Sequence, residues 1–178
     1  MNIRRLALFA LMLLLCALGS AAVACGGGDG EQAALEQYFQ SAQSLDVAYE
    51  DQYDLFQRRL DAELAAATEE EEALEPLRNN FGANLAIFTD FVSGLENLAA
   101  PDSVKDAHDA AIDALRIYLD RLQEAKEQLA EADSVSELQA IYTAEDLDAA
   151  NDQAVRTCIA LQNIATKIGI EIDIGCLD

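Results

Sequence analysis

The sequence predicts an all-α fold: an up-and-down four-helix bundle with one short extra helix and an extended C-terminal tail pinned by a disulfide. Three observations carry this expectation. Beyond residue 30, apolar residues recur at three- and four-residue spacing almost throughout. The chain has two Pro, Pro76 and Pro101. Its few breaker clusters divide it into four long segments and one short one. Short connections make consecutive helices antiparallel neighbours, and each apolar stripe needs partners to cover it.

The first helix runs from Glu31 to about Ala67, a stretch without Gly or Pro. Leu35, Tyr38, Ala42, Leu45, Tyr49 and Phe56 form its stripe, with Phe39, Tyr53 and Leu60 widening it. Thr68-Glu69-Glu70-Glu71 then fits a capping box. The second helix starts either at Glu69 or at Pro76; a Pro suits a first turn or kinks a later one. Its stripe is Leu77, Phe81, Leu85, Phe88, Val92, Leu95 and Leu98. Ala100-Pro101-Asp102-Ser103 is the next turn. The third helix carries Val104, His108, Ala111, Leu115, Tyr118, Leu122, Ala125 and Leu129. Ser134 and Glu137 make a second capping box before a short helix around Leu138, Ile141 and Tyr142. The last helix shows Leu147, Asn151, Ala154, Cys158, Leu161, Ala165 and Ile168, and ends at Gly169. In the tail, Ile170, Ile172 and Ile174 alternate with acids. This pattern lets one side of an extended segment face the bundle.

The first 24 residues have a different character. Arg4 and Arg5 precede a 13-residue apolar run, Leu6 to Leu18, which is short for a helix spanning a hydrocarbon core of ~30 Å. Small residues follow, so residues 1–24 read as a secretory signal peptide. The junction Ala22-Val23-Ala24-Cys25 satisfies the ordinary small-x-small cleavage rule, and it also resembles a bacterial lipobox. That resemblance implies a diacylglycerol on the Cys25 thiol and, through it, an anchor on the extracytoplasmic face of the cell membrane. The Gly-rich residues 25–30 suit a tether, leaving 31–178 as the helical domain. The competing reading is a soluble secreted protein that begins with a thiol.

Without the signal, 154 residues remain, with 9 Lys+Arg against 33 Asp+Glu, a net charge of −24. One domain fits this length. Such acidity speaks against nucleic acid, which is bound by neutralising phosphates. It also speaks against charge attraction to anionic lipid, so a membrane association has to be covalent. Cys16 lies in the signal and Cys25 takes the lipid, which leaves Cys158 and Cys176 as a pair in an exported chain. From Cys158 to Gly169 a helix rises ~16.5 Å. The seven residues from Gly169 to Cys176 span up to ~25 Å, so the tail can return and close a disulfide. Two Cys without nearby His are too few for a structural zinc site.

Chemistry-bearing motifs are sparse. His108, the single His, sits on the apolar rhythm and reads as a packed, hydrogen-bonded core residue. As a metal ligand it is a weak candidate, as are Asp148 and Asp152, which share a helix face without a calcium-loop pattern. A di-iron bundle needs a Glu-x-x-His on each of two helices. No nucleophile elbow or phosphate loop occurs. No enzyme activity and no cofactor are expected. Asn84, Asn151, Gln162 and Asn163 place amides near the interior, either to fix helix register or to line a pocket. The whole is similar to the small helical lipoproteins of bacterial envelopes. That likeness implies a non-catalytic, lipid-anchored module acting by contact with a protein partner. The alternative is an extracytoplasmic protein that binds a cation or small ligand.

Overall fold

The structure is a computed structural model and describes residues 29–176. Residues 1–28, which hold the expected signal peptide and the lipidation site Cys25, lie outside the described residues. The fold is all-helical, with α1 (Asp29–Ala66), α2 (Glu70–Glu96), α3 (Lys105–Glu131), α4 (Val135–Tyr142) and α5 (Glu145–Lys167). Helix α1 begins two residues earlier than expected, so Asp29 and Gly30 belong to its first turn rather than to a tether.

Capping chemistry fixes the boundaries. The spacing places a capping box on Thr68 and Glu71; the structure shifts it by one residue. Glu69 is the N-cap and Glu72 reaches back, accepting from the Thr68 backbone at 2.7 Å and its hydroxyl at 3.0 Å. These donors hold the Glu72 carboxyl below the usual carboxylate range. The second helix therefore starts before Pro76, which lies inside it. At α4 half of the expected box is present: Ser134 Oγ accepts from Glu137 N at 3.2 Å, whereas Glu137 accepts from Asp133 N at 2.7 Å instead of from the Ser134 N–H. Glu70 on α2 accepts from Val135 N at 3.1 Å, satisfying a further orphan donor of α4.

Helix α5 ends in a Schellman motif. Gly169 has φ +79, Ile170 N donates to Ala165 O at 3.0 Å, and Gly169 N donates to Thr166 O at 3.1 Å. The chain then returns as an extended tail. Ile170 and Ile174 are buried and Ile172 half-buried, whereas Glu171 and Asp173 are exposed, as the alternation requires. Cys158 and Cys176 form a disulfide with Cα atoms 5.4 Å apart. Gln162 clamps the returning tail, accepting from Ile174 N at 3.1 Å and donating to Ile172 O.

Side-chain size sets the packing. Helices α3 and α5 are the closest pair, and their buried faces are rich in Ala: Ala111, Ala114 and Ala125 on α3, Ala150, Ala154 and Ala165 on α5. Small side chains let helix axes approach. Helix α1 presents large aromatics instead and approaches no helix as closely. Its burial also ends early. Beyond Asp46 no α1 residue is buried; Tyr53 is exposed, and Phe56 and Leu60 are half-buried. The predicted stripe is there, but its second half is not covered.

Two apolar cores result. One joins Leu35, Tyr38 and Phe39 of α1 to Val104, Leu161, Ala165 and the tail residues Ile170 and Ile174. The other joins Leu74, Phe81 and Leu85 of α2 to Leu129, Leu138 and Leu147. They share no residue. Arg78 ties α2 to the end of α3, donating from Nε to Leu129 O at 2.9 Å and from Nη2 to Ala132 O.

Candidate functional site

A cavity of about 830 Å³ opens among the helices, bordered by members of both cores. This volume lies in the range of small-molecule sites, ~300–1,000 Å³. Its origin is the size mismatch described above. Helix α1 contributes Ala42, Asp46, Tyr49, Glu50, Tyr53 and Asp54, and α2 contributes Phe81, Asn84, Phe88 and Phe91. Across from them stand Leu115 and Tyr118 of α3, Tyr142 of α4, and Asp148, Asn151 and Ala154 of α5. The disulfide and Gly175 also border the space.

Seven of the 11 aromatic residues line this cavity. Five of them, Tyr49, Tyr53, Phe88, Phe91 and Tyr118, form a connected set, and Phe81 and Tyr142 form a separate pair. Tyr49 lies 5.2 Å from Phe91 and 6.0 Å from Phe88, ring centroid to centroid, and Phe88 lies 5.5 Å from Tyr118. Tyr49 and Tyr53 stack at 6.1 Å, and Phe81 meets Tyr142 edge-on at 5.3 Å. Burial pushes the Tyr49 and Tyr142 phenols up to about 12, and also raises Tyr118. A smaller contribution in all three comes from Tyr53, so the four phenols gather on one region. Tyr49, Tyr118 and Tyr142 stay protonated at ordinary pH and offer hydroxyls, not phenolate nucleophiles.

The charge of the lining has one sign. Asp46, Glu50, Asp54 and Asp148 are carboxylates, and no Lys, Arg or His is among the lining residues. Asp46 is buried; Glu50, Asp54 and Asp148 are exposed and form a rim. Within the wall, Asn84 Nδ2 donates to Asn80 Oδ1 at 2.9 Å. Asn84 Oδ1 is a buried side-chain acceptor without a hydrogen-bond partner.

The residues singled out by the sequence distribute as follows. His108 is buried in the first core, outside the cavity lining, with Nδ1 2.9 Å from the Tyr38 hydroxyl. Burial lowers its pKa. Asp148 lines the cavity, whereas Asp152 pairs with Arg156 at 4.0 Å. Among the described residues no three His, Cys, Asp or Glu side chains come together as a metal group would require. Of the four amides, Asn84 and Asn151 line the cavity, Gln162 holds the tail and Asn163 is exposed. Tyr49, Phe88 and Tyr118 were readable as stripe residues, but Phe91 was not, and periodicity alone does not distinguish a wall from a filled core.

Among the described residues no helix is long and apolar enough to cross a membrane. Comparison of the chain with protein-family models, with curated proteins and with solved structures found no match.

Proposed function

We propose that this chain is an exported lipoprotein, anchored through Cys25 to the outer face of the cell membrane, that binds a small apolar molecule inside its bundle. In this reading the four long helices run up and down, and their seam carries the site. The aromatic-lined cavity of about 830 Å³ is the observation that supports it. Water gains little from aromatic walls, whereas an apolar ligand filling them removes that surface from solvent. The cavity favours ligand binding over the protein-contact module implied by the lipoprotein resemblance. Of the large exposed apolar side chains among the described residues, Tyr53 and Tyr142 belong to the cavity, and Val47, Leu55 and Ile117 lie on two different helices. Catalysis is not part of the proposal, since the lining presents no paired nucleophile and base.

Two measurements test it. The mass of full-length protein extracted from its native membrane under non-denaturing conditions reports diacylglycerol on Cys25; a bare Cys25 thiol refutes the anchor. The mature chain should enhance the emission of the neutral fluorophore N-phenyl-1-naphthylamine, and Leu115→Trp, which enlarges a half-buried lining side chain, should reduce the enhancement. No enhancement by the unaltered protein refutes the binding reading.

A further inference from the structure

We propose that the C-terminal tail, residues 170–176, is a strap latched into the cavity wall by the Cys158–Cys176 disulfide. Reduction of that bond by a dithiol frees the strap and weakens binding. The proposal rests on the ligand-binding reading above and adds its regulation. Three strap residues, Ile174, Gly175 and Cys176, line the cavity beside Cys158 and Leu161 of α5. The strap joins α5 to α1. The disulfide fixes it to α5, while Ile170 and Ile174 share a core with Leu35, Phe39 and Ala42 of α1. Gly175 comes so close to α1 that a Cβ there would lie 2.6 Å from Asp46 Cγ. Ala42 and Asp46 are themselves lining residues. Release of the strap therefore removes part of the wall and uncovers the α1 face that continues into it.

Little besides the bond keeps the strap in place. Among the described residues, Ile170 N is its last amide to donate to a backbone carbonyl. Further on, the Gln162 amide donates to Ile172 O and accepts from Ile174 N. Gly175 N turns back to Asp173 Oδ1 at 3.0 Å, a bond within the strap. No helical or sheet ladder adds cooperativity, and segments of this kind open at low free energy. Gly169 supplies a pivot, with φ +79 and nothing within 4 Å of the position a Cβ would take.

The exchange is a balanced two-electron transfer. A thiolate of the dithiol attacks Sγ of Cys158, the half-buried partner. The S–S bond breaks and Cys176 leaves as a thiolate. The second thiol of the reagent then attacks the mixed disulfide, releasing Cys158 and closing the reagent into its own disulfide. The two protons given up by the dithiol end on Cys158 and Cys176. The dithiol is oxidised and the protein disulfide reduced; a disulfide reagent reverses both steps and latches the strap again.

The test uses the mature chain with Cys25→Ser, which removes the third thiol, and N-phenyl-1-naphthylamine as the probe. Dithiothreitol should weaken probe binding at least about fivefold, the low end of couplings between linked sites. Helical circular dichroism should stay within error, while amide exchange rises across residues 170–176. Reoxidation should restore the affinity. The double variant Cys158→Ser, Cys176→Ser should bind like the reduced chain and ignore dithiothreitol. Linkage supplies a second readout: saturating probe should make the disulfide harder to reduce by the same factor.

Equal probe affinity in the oxidised and reduced chains overturns the strap and leaves the binding reading standing. Loss of helicity together with binding shows a bond that staples the whole bundle, and overturns it too. A double variant that still responds to dithiothreitol does the same, because the reagent then acts elsewhere. No probe emission with the oxidised chain refutes the binding reading itself.

Discussion

The Tyr38 hydroxyl lies 2.9 Å from Nδ1 of His108, linking the start of α1 to the first turn of α3 across 70 residues. The rings meet edge-on, with centroids 5.7 Å apart at 81°. Both residues are buried, so each polar atom has exchanged water for the other. A neutral imidazole with its hydrogen on Nε2 accepts the phenol hydrogen. A charged one presents a donor there instead and faces the cost of burial, which is why the His108 pKa is lowered.

Stability should therefore depend on pH through this residue. Below an unfolded-state pKa of ~6.5, the unfolded chain binds a proton that the folded chain resists. The contribution is complete above about pH 6.5 and is lost as pH falls toward the lower folded value. Urea midpoints of wild type and His108→Gln, measured from about pH 8 down to about pH 5, should diverge on the acid side. The wild type should lose more, while effects from the carboxylates are common to both. Parallel curves contradict this account. Tyr38→Phe, which orphans the imidazole, should cost ~1–3 kcal/mol at neutral pH.

Gly175 and Gly169 both adopt positive φ, +66 and +79, yet they should respond differently to Ala. A methyl group on Gly169 meets nothing within 4 Å. Gly169→Ala should cost only the left-handed backbone penalty, ~1–2 kcal/mol. At Gly175 the methyl group would run into the Asp46 carboxylate, with Cγ at 2.6 Å and Oδ2 at 2.7 Å. Gly175→Ala should cost several kcal/mol, on the scale of strained backbone plus overpacking, or release the tail. Equal losses on denaturation would show that the approach to Asp46 is unimportant.

The disulfide closes a sequence separation of 18 residues. In the chain-entropy model, joining Cys158 to Cys176 stabilises by ~3 kcal/mol. Cys158→Ala with Cys176→Ala should lower the denaturation midpoint by that amount and raise proteolysis at Ile172 and Ile174. A midpoint within error of wild type would mean that Gln162 and the Ile contacts hold the tail unaided.

Arg78 donates to the Leu129 and Ala132 carbonyls, where α3 ends. These carbonyls lack intrahelical partners and sit at the negative end of the helix dipole. Arg78→Met, which keeps much of the aliphatic bulk, should cost ~1.5–3 kcal/mol. Amide exchange should accelerate first in the last turn of α3. A uniform acceleration across α2 would indicate lost packing instead.

How much of this was legible in the residues varies by interaction range. The five helices were, because periodicity, caps and breakers act within a few positions. The Ser134 cap and the Gly169 stop needed no knowledge of distant chain. The Cys158–Cys176 bond was also accessible, since a helical rise and an extended return bound the distance between two points close in sequence. Local ambiguity sufficed to misplace the box at Thr68–Glu71, where consecutive acids compete for one cap, and only geometry selected Glu69 with Glu72. His108 was readable as buried from its neighbours, but not its partner, since Tyr38 lies 70 residues away.

The cavity belongs to tertiary structure alone. Leu45, Tyr49 and Phe56 satisfy the same rhythm as residues of a filled core, so the sequence by itself determined that α1 has an apolar face, not how far that face is covered. That depends on the distance between helices, set by side chains meeting from separate segments. Ala111 and Ala154 let α3 and α5 close up, whereas Tyr49, Phe88 and Phe91 are too large for a comparable approach of α1 and α2. The space left between those separations is bordered by seven aromatic rings together with Asp46, Glu50, Asp54 and Asp148.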